Sequence, residues 1–394
     1  MNPPIKAKRL FLAVCLLLIA FNLRPLFPSL SVLLPELVAD LGLSGVSSGF
    51  LSTLPVVCLG AFAPFAPMLA DKHGPERVLL LVLLLIGAGT LLRAFDPTAL
   101  LFIGTTMAGA GIAMGNVLLP SVVKRDFSDR VTLMTGLFTM SLCGGAAVSA
   151  AFTLPIAQWA ESWRLGLAVW AIPAFLIALL WIPRCRGVEL PGERRGLPAI
   201  RLGHDLLAWQ VSCFMGLQSA LAYCVMSWMA PILRWRGLDG VTSGVYVSLS
   251  ILCQVVACLL IPTLAGRYRS QSGVNVVLAF VAAASLLAML FVPLSALPMF
   301  VVSQGVGQGG LFAMAMIVII LRSPDPRVAA RLSSMAQTTG YLLAASGPML
   351  VGALYSVTGD HTSSGWLFAG IGIATMITGW AAGRALLVKP RAAP

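Results

Sequence analysis

The chain has 394 residues, of which 58% are hydrophobic and only 10% are charged. Soluble domains carry roughly 25% charged residues, so this composition excludes a water-soluble fold. The net charge of +12 could suit nucleic acid, but the basic residues cluster in short loops between apolar runs and indicate membrane topology instead.

Apolar segments long enough to cross a bilayer recur along the whole chain. A spanning helix needs about 20 predominantly apolar residues. The first candidate follows a basic stretch and resembles a signal peptide, but its apolar run continues past Arg24, so we expect an uncleaved span. The pattern predicts six spans before a polar break and six after it: Leu10–Val38, Ser47–Ala70, Val78–Phe95, Thr98–Val123, Val131–Ile156 and Leu165–Ile182, then Asp205–Ala230, Val241–Leu264, Val274–Val292, Ala296–Leu321, Leu332–Val357 and Gly365–Leu387.

The polar break, rich in Arg, Pro and Gly, divides the chain into similar halves. Pro67-Met68-Leu69-Ala70 recurs as Pro262-Thr263-Leu264-Ala265, about half the chain length later. Two six-span repeats of this kind are parallel and related by an axis along the membrane normal. We therefore predict an all-α polytopic membrane protein with a six-helix bundle at 1–183, a cytoplasmic linker at 184–204 and a second six-helix bundle at 205–394.

The basic residues also predict an orientation. Lys and Arg concentrate in cytoplasmic loops. When both termini are placed in the cytoplasm, the inner side collects nearly all of them, and the outer side keeps only Arg93, Arg164, Arg234 and Arg236. The expected location is a bacterial-type inner (plasma) membrane, with both termini cytoplasmic.

Several motifs resemble a known transporter family. The loop after span two, Leu69-Ala70-Asp71-Lys72-His73-Gly74, resembles the signature loop of the major facilitator superfamily. Four further motifs resemble the branch of that superfamily that contains the cyanate and 2-nitroimidazole permeases: Asn22-Leu23-Arg24-Pro25, Pro120-Ser121-Val122-Val123-Lys124-Arg125, Gly307-Gln308-Gly309-Gly310 and Gln337-Thr338-Thr339-Gly340-Tyr341.

The resemblance covers nearly the whole chain and implies the major-facilitator fold of 12 transmembrane helices. It also implies a secondary-active or facilitative transporter that moves a small solute by alternating access. The resemblance itself names no substrate. Because one intramembrane arginine and several amides can satisfy only a few polar atoms, we expect a small anion such as cyanate, or a dipolar heterocycle such as a nitroimidazole. By the same resemblance, the loop residues Asp71, Arg77, Arg125 and Arg130 would act as a conformational latch.

Arg24 is the candidate that the residues themselves single out. It lies near the middle of the first span, where an arginine costs at least ~2.5 kcal/mol on insertion scales. Pro25 follows it and removes a backbone donor, so we expect a kink there. No Asp or Glu falls near mid-membrane in any predicted span. The cavity is therefore expected to be positive and to favour an anion or a strongly dipolar solute; an Arg that only locks the first span in place is the alternative.

Amides and phenols supply the other polar groups of the spans. In the resembled superfamily, spans one, four, seven and ten line the cavity. Interhelical hydrogen bonding is the alternative role for each buried amide, and it is the role predicted for Gln254. The predicted substrate-binding residues are Asn22, Arg24, Asn116, Gln218, Tyr223, Gln304, Gln308, Gln337 and Tyr341.

Other functions remain as alternatives. A drug-type efflux transporter of the same fold is the first, and a polytopic membrane enzyme or sensor is a remote second. The sequence contains no catalytic cluster and no metal-ligand spacing, so neither enzymatic activity nor a cofactor is expected. The expected partners are a small-molecule substrate and the lipid bilayer, with a co-transported proton left open, no nucleic acid, and a monomer as the superfamily default.

Overall fold

The computed structural model describes residues 3–127, 131–185, 200–265, 268–389 and 391–392. Almost all of them are helical. Two short 3-10 helices, Ile182–Cys185 and Leu294–Ala296, and an antiparallel pair of two-residue strands, β1 (Ile200–Arg201) and β2 (Arg391–Ala392), complete the described elements. The α-helices are α1 (Pro3–Asn22), α2 (Leu26–Leu41), α3 (Gly45–Phe62), α4 (Phe65–His73), α5 (Pro75–Leu92), α6 (Thr98–Asp126), α7 (Val131–Trp159), α8 (Trp163–Ala168), α9 (Ala171–Trp181), α10 (Leu206–Trp235), α11 (Gly240–Ala265), α12 (Ser272–Ala288), α13 (Leu297–Leu321), α14 (Pro326–Thr358) and α15 (Thr362–Ala382).

Within the described residues, 11 helical segments are long and apolar enough to cross a membrane. The remaining predicted span corresponds to α12, an apolar helix of 17 residues. The all-α polytopic prediction is therefore confirmed. The main difference is that three predicted spans are each built from two helices: α1 with α2, α3 with α4, and α8 with α9.

The break in the first span follows directly from the sequence. Pro25 has no N–H to donate to the carbonyl of Phe21, so α1 ends at Asn22 and α2 begins at Leu26. The carbonyl of Phe21 then faces Gly145 on α7 so closely that an added Cβ at Gly145 would overlap it. Glycine at that position lets α7 pack against the break and hold it in place.

The two halves of the chain, residues 3–185 and 200–392, meet through α2, α3 and α7 on one side and α10, α11 and α14 on the other, and α2 packs against α10. α3 packs along α14, and α7 packs along α11. Small residues permit the close approach of α3 to α14. An added Cβ at Gly352 would lie 2.5 Å from the Cα of Gly49, and one at Gly45 would lie 2.7 Å from the Cβ of Ser356. We call this contact of Gly45, Gly49 and Gly352 the glycine seam. The end of the molecule that contains it is the Glu36 end, and the opposite end is the Asp71 end.

Candidate functional site

A cavity lies between the two halves of the chain. It encloses about 630 Å³ of empty space, including the part that is open to solvent. Helices from both halves contribute to its wall, and none of its described lining residues is acidic. The lining residues are Arg24, Thr139, Leu142, Cys143, Ala146, Gln218, Ser219, Ala222, Tyr223, Met226, Gln254, Cys258, Gln308, Phe312 and Tyr341.

Arg24 brings the cavity its charge. It lies in the break between α1 and α2, where the backbone leaves the helical path and the side chain extends toward α10. Its Nη1 donates to the Tyr223 hydroxyl at 3.3 Å, and its guanidinium carbon lies 5.9 Å from the centre of the Phe27 ring. Its Nε is buried and has no partner among the described residues. A cation held only by a phenol and a ring face keeps most of its charge for a ligand.

An aromatic wall stands beside this charge. The Tyr223 ring lies 5.4 Å from that of Phe27 and 6.2 Å from that of Tyr341, the latter in an edge-to-face arrangement. Such geometries are the favourable ones for aromatic pairs. The wall gives the cavity a flat, weakly polar surface against which a planar ligand could stack.

A chain of amides forms another part of the wall. Gln308 on α13 donates through Nε2 to the backbone oxygen of Gln218 at 3.0 Å and to its side-chain Oε1 at 3.2 Å. The Nε2 of Gln218 donates in turn to Ser219 Oγ at 2.8 Å. This network holds α10 and α13 together and leaves the Oε1 of Gln308 buried without a described partner.

Five of the nine predicted binding residues line this cavity: Arg24, Gln218, Tyr223, Gln308 and Tyr341. The other four are not among its described lining residues, and three of them bond to neighbours on adjacent turns or helices. Asn22 donates to Leu18 O at 2.8 Å, Gln304 accepts from Ser250 Oγ at 2.6 Å, and Gln337 donates to Ser333 Oγ at 2.8 Å. The fourth, Asn116, has a buried Nδ2 with no described partner.

The structure also adds lining residues that the sequence did not predict. Gln254 was assigned to interhelical bonding, but it lines the cavity and makes no hydrogen bond with a described residue. Cys143, Cys258 and Met226 bring soft sulfur atoms to the wall. No sequence signal separates these residues from other apolar or amide positions, because only the rotation of each helix decides which side chains face the cavity.

The two halves are joined by hydrogen bonds on the Glu36 side of the cavity. Arg234 at the end of α10 donates through Nη1 to both carboxylate oxygens of Glu36, at 2.7 and 2.8 Å, and to Val32 O at 3.4 Å. A further bond between the halves joins Ser227 Oγ to Ser52 O at 3.5 Å. Together with the glycine seam, these contacts hold the two halves together at this end.

At the Asp71 end the charges form a different cluster from the predicted latch. Arg125 lies 2.6 Å from Glu76 and 2.7 Å from Asp126, and Arg184 lies 3.3 Å from Asp126. Glu76 is buried at the start of α5.

Within the part of the chain that it describes, the structure gives no ion-pair support for the latch role of the other predicted residues. Asp71 and Arg77 are exposed and form no ion pair within the described ranges. Arg130 lies outside the described residues. The latch role of these residues stays a prediction.

The fold and the cavity define a polytopic membrane transporter: apolar helices surround a charged, partly aromatic cavity that lies between the two halves of the chain. A family model, Major Facilitator Superfamily, matches residues 10–303, and the chain belongs to that family. Members of this family and the relatives described next are transporters and not enzymes.

Three relatives align over nearly the full chain. The chain is 36% identical to the Uncharacterized transporter YycB of Bacillus subtilis (strain 168) over 91% of this chain and 89% of that protein. It is 32% identical to the 2-nitroimidazole transporter of Escherichia coli (strain K12), with 95% and 96% coverage. It is 28% identical to the cyanate transport protein CynX of the same strain, with 90% and 92% coverage. The predicted branch of the superfamily is therefore confirmed.

A solved structure supports the fold. A bacterial homologue of the human lysosomal transporter Spinster, in an inward-facing and occupied conformation, superposes with a TM-score of 0.79 at 15% sequence identity. The match covers 97% of both chains. At that identity the similarity extends to the fold alone.

Proposed function

We propose that this transporter moves a small anion or a strongly dipolar neutral solute, and that Arg24 is the group that receives it. The observation that carries the proposal is a nearly unpaired guanidinium in a cavity with no described acid on its wall. A buried charge needs a counter-charge or strong dipole, and the substrate supplies it here. The relatives named for cyanate and 2-nitroimidazole are consistent with both solute types.

The small number of polar groups on the cavity wall favours a small solute. Arg24, three glutamines and two phenols offer only a few polar contacts, and the aromatic wall suits a flat molecule. A drug-type efflux transporter, the second candidate, would favour a more extensively aromatic or an acidic cavity, and no acidic residue is among the described lining residues. Cyanate and a nitroimidazole are the representative substrates of the proposed class.

The transport cycle would proceed by alternating access between two bundles. We assign residues 1–183 and 205–394 to the bundles and 184–204 to the linker between them. The described hydrogen bonds between the halves lie at Arg24–Tyr223 and between there and the Glu36 end. This placement supports a state that is closed at the Glu36 end and that the substrate enters from the Asp71 end. With the basic segments in the cytoplasm, that state faces inward, and the membrane is a bacterial-type inner membrane.

Proton coupling and oligomeric state follow from the same reasoning. The described cavity wall offers no carboxylate to carry a proton, so a co-transported proton would travel on the substrate itself. The transport unit is proposed to be a monomer, because one chain supplies both sides of the cavity.

Ligand-induced stabilisation of the purified protein tests the proposal. Cyanate, nitrate, acetate, 2-nitroimidazole and a large apolar cation, tetraphenylphosphonium, are screened against the wild type and Arg24→Ala. A ligand that binds the folded state raises its stability by RT ln(1 + [L]/Kd), so weak ligands register at millimolar concentration. We expect a shift with at least one solute that disappears in Arg24→Ala. Equal shifts in both proteins would make Arg24 structural, and shifts only with large apolar cations would favour the efflux candidate.

A further inference from the structure

The cavity contains an unpaired acceptor as well as a charge. Gln308 lines it, is only 1% exposed, and its Oε1 has no hydrogen-bond partner among the described residues. Arg24, from the other half of the chain, has an unpaired Nε donor. One half therefore offers the ligand positive charge and N–H groups, whereas the other offers an oxygen.

The amide of Gln308 cannot turn to offer its nitrogen instead. Its Nε2 faces two oxygens of Gln218 that only accept, at 3.0 and 3.2 Å. A flip would set oxygen against oxygen. Gln218 is fixed in turn because its Nε2 donates to Ser219 Oγ at 2.8 Å and to Met215 O at 3.1 Å. The network therefore holds the Oε1 of Gln308 in the acceptor role.

Gln254 does not share this constraint. It lines the same cavity, but its amide makes no hydrogen bond within the described ranges. It can rotate to present either its oxygen or its nitrogen, so it suits a ligand donor and a ligand acceptor equally. Gln308 is therefore the residue that distinguishes ligands with a hydrogen-bond donor from ligands without one.

We propose that the substrate carries an N–H or O–H donor in addition to the anionic or electron-rich group that meets Arg24, and that Gln308 is the residue that selects for this donor. The inference rests on the proposed function and narrows it. A buried acceptor left without a donor carries its full desolvation penalty, so a solute with no N–H or O–H binds less well. Heterocycles with a ring N–H and hydroxylated small acids fit, whereas a bare anion such as cyanate does not.

Matched pairs of probes test the donor requirement. 2-Nitroimidazole is compared with 1-methyl-2-nitroimidazole, and glycolate with methoxyacetate, so that each pair differs by the loss of one donor. Dissociation constants are measured on the purified full-length protein by thermal shift and calorimetry. We expect the donor-bearing member of a pair to bind about tenfold more tightly or better, since sites built to hydrogen-bond a substrate reject analogues that lack the group.

Variants at position 308 test whether Gln308 causes the preference for the donor-bearing ligand. Gln308→Met keeps the length of the side chain and removes the acceptor, and it should abolish most of the preference for the donor-bearing ligand, because no hydrogen bond then discriminates within a pair. Gln308→Asn withdraws the oxygen and serves if the first variant does not fold. Asn275→Leu is the control, because Asn275 is a buried amide on α12 with an unpaired Oδ1 but does not line the cavity; its preference should equal that of the wild type.

The outcomes separate the two proposals. Equal binding within each pair, abolished by Arg24→Ala, leaves the proposed function standing and overturns the donor requirement. A wild-type preference that persists in both Gln308 variants overturns the assignment to Gln308. Failure of the wild type to bind any small anion or heterocycle overturns the proposed function and this inference with it.

Discussion

The ion pair between Glu36 and Arg234 should control which end of the transporter is open. One residue lies on each half of the chain, and the pair closes the Glu36 end by a single nitrogen that meets both carboxylate oxygens at 2.7 and 2.8 Å. The perturbation is Glu36→Gln, which removes the charge and keeps the shape of the side chain.

The magnitude follows from the burial of the pair. The two side chains are 26% and 29% exposed, so solvent screens the interaction only in part. Hydrogen bonds to charged groups contribute about 1.5–3 kcal/mol, and partial exposure favours the lower end of that range. A loss of about 1.5 kcal/mol corresponds to roughly a tenfold change in the ratio of the two conformations.

Distances between spin labels measure that ratio. Labels at Glu161 and Ser295, both exposed near the Glu36 end on different halves, are introduced after the eight native cysteines have been replaced. The wild type should give a short distance, and Glu36→Gln should add a longer population. The exchanged pair, Glu36→Arg with Arg234→Glu, should recover much of the short distance.

Asp40→Asn is the matched control. Asp40 is an exposed acid near the same end, but its described partners, Trp163 and Arg164, belong to its own half. Its neutralisation should leave the distances as they are in the wild type. Distances that stay unchanged in Glu36→Gln, or that change equally in Asp40→Asn, would refute the assignment of the seal to this ion pair.

Two stability predictions follow from buried positions. Gly352→Leu should lower the melting temperature by several degrees, because its Cβ would lie 2.5 Å from the Cα of Gly49 and 2.7 Å from Gly45 O and overpacking costs about 1–3 kcal/mol. The control is Gly370→Leu, which points into open space and should leave the melting temperature unchanged. Equal losses in both variants would contradict the close packing of α3 against α14. Burial lowers the pKa of His361 from 6.5 to about 4, so the unfolded chain binds more protons between those values and the melting temperature should fall as the pH drops through that window. His361→Phe should flatten this dependence, and a wild-type profile that is already flat would contradict it.

The spans were predictable because the length and hydropathy of a segment decide whether it can cross a membrane. Arg24 was predictable for the same reason, since a charge in an apolar run stands out against its neighbours. A kink was expected at Pro25, between α1 and α2, but no break was expected at Pro64, between α3 and α4. Proline weakens a helix at many positions, as at Pro35 and Pro55 inside continuous helices here, and packing decides which proline ends one.

The lining of the cavity was only half predictable. Gln254 and Asn116 are both amides within spans, and the sequence favoured Asn116 for the cavity, whereas the structure places Gln254 on its wall. The difference is the rotation of α6 and α11 about their own axes, which long-range packing sets. Glu76 was missed as the partner of Arg125 because residues 49 positions apart meet only in the folded protein.

Uptake into proteoliposomes tests the central claim, that Arg24 receives a small anionic or dipolar solute during transport. Labelled cyanate and 2-nitroimidazole are followed for the wild type, Arg24→Lys and Arg24→Ala, each inserted at equal density. We predict saturable uptake of at least one solute by the wild type, reduced uptake by Arg24→Lys and none above empty vesicles by Arg24→Ala. Uptake by folded Arg24→Ala with the KM and rate of the wild type would contradict the account.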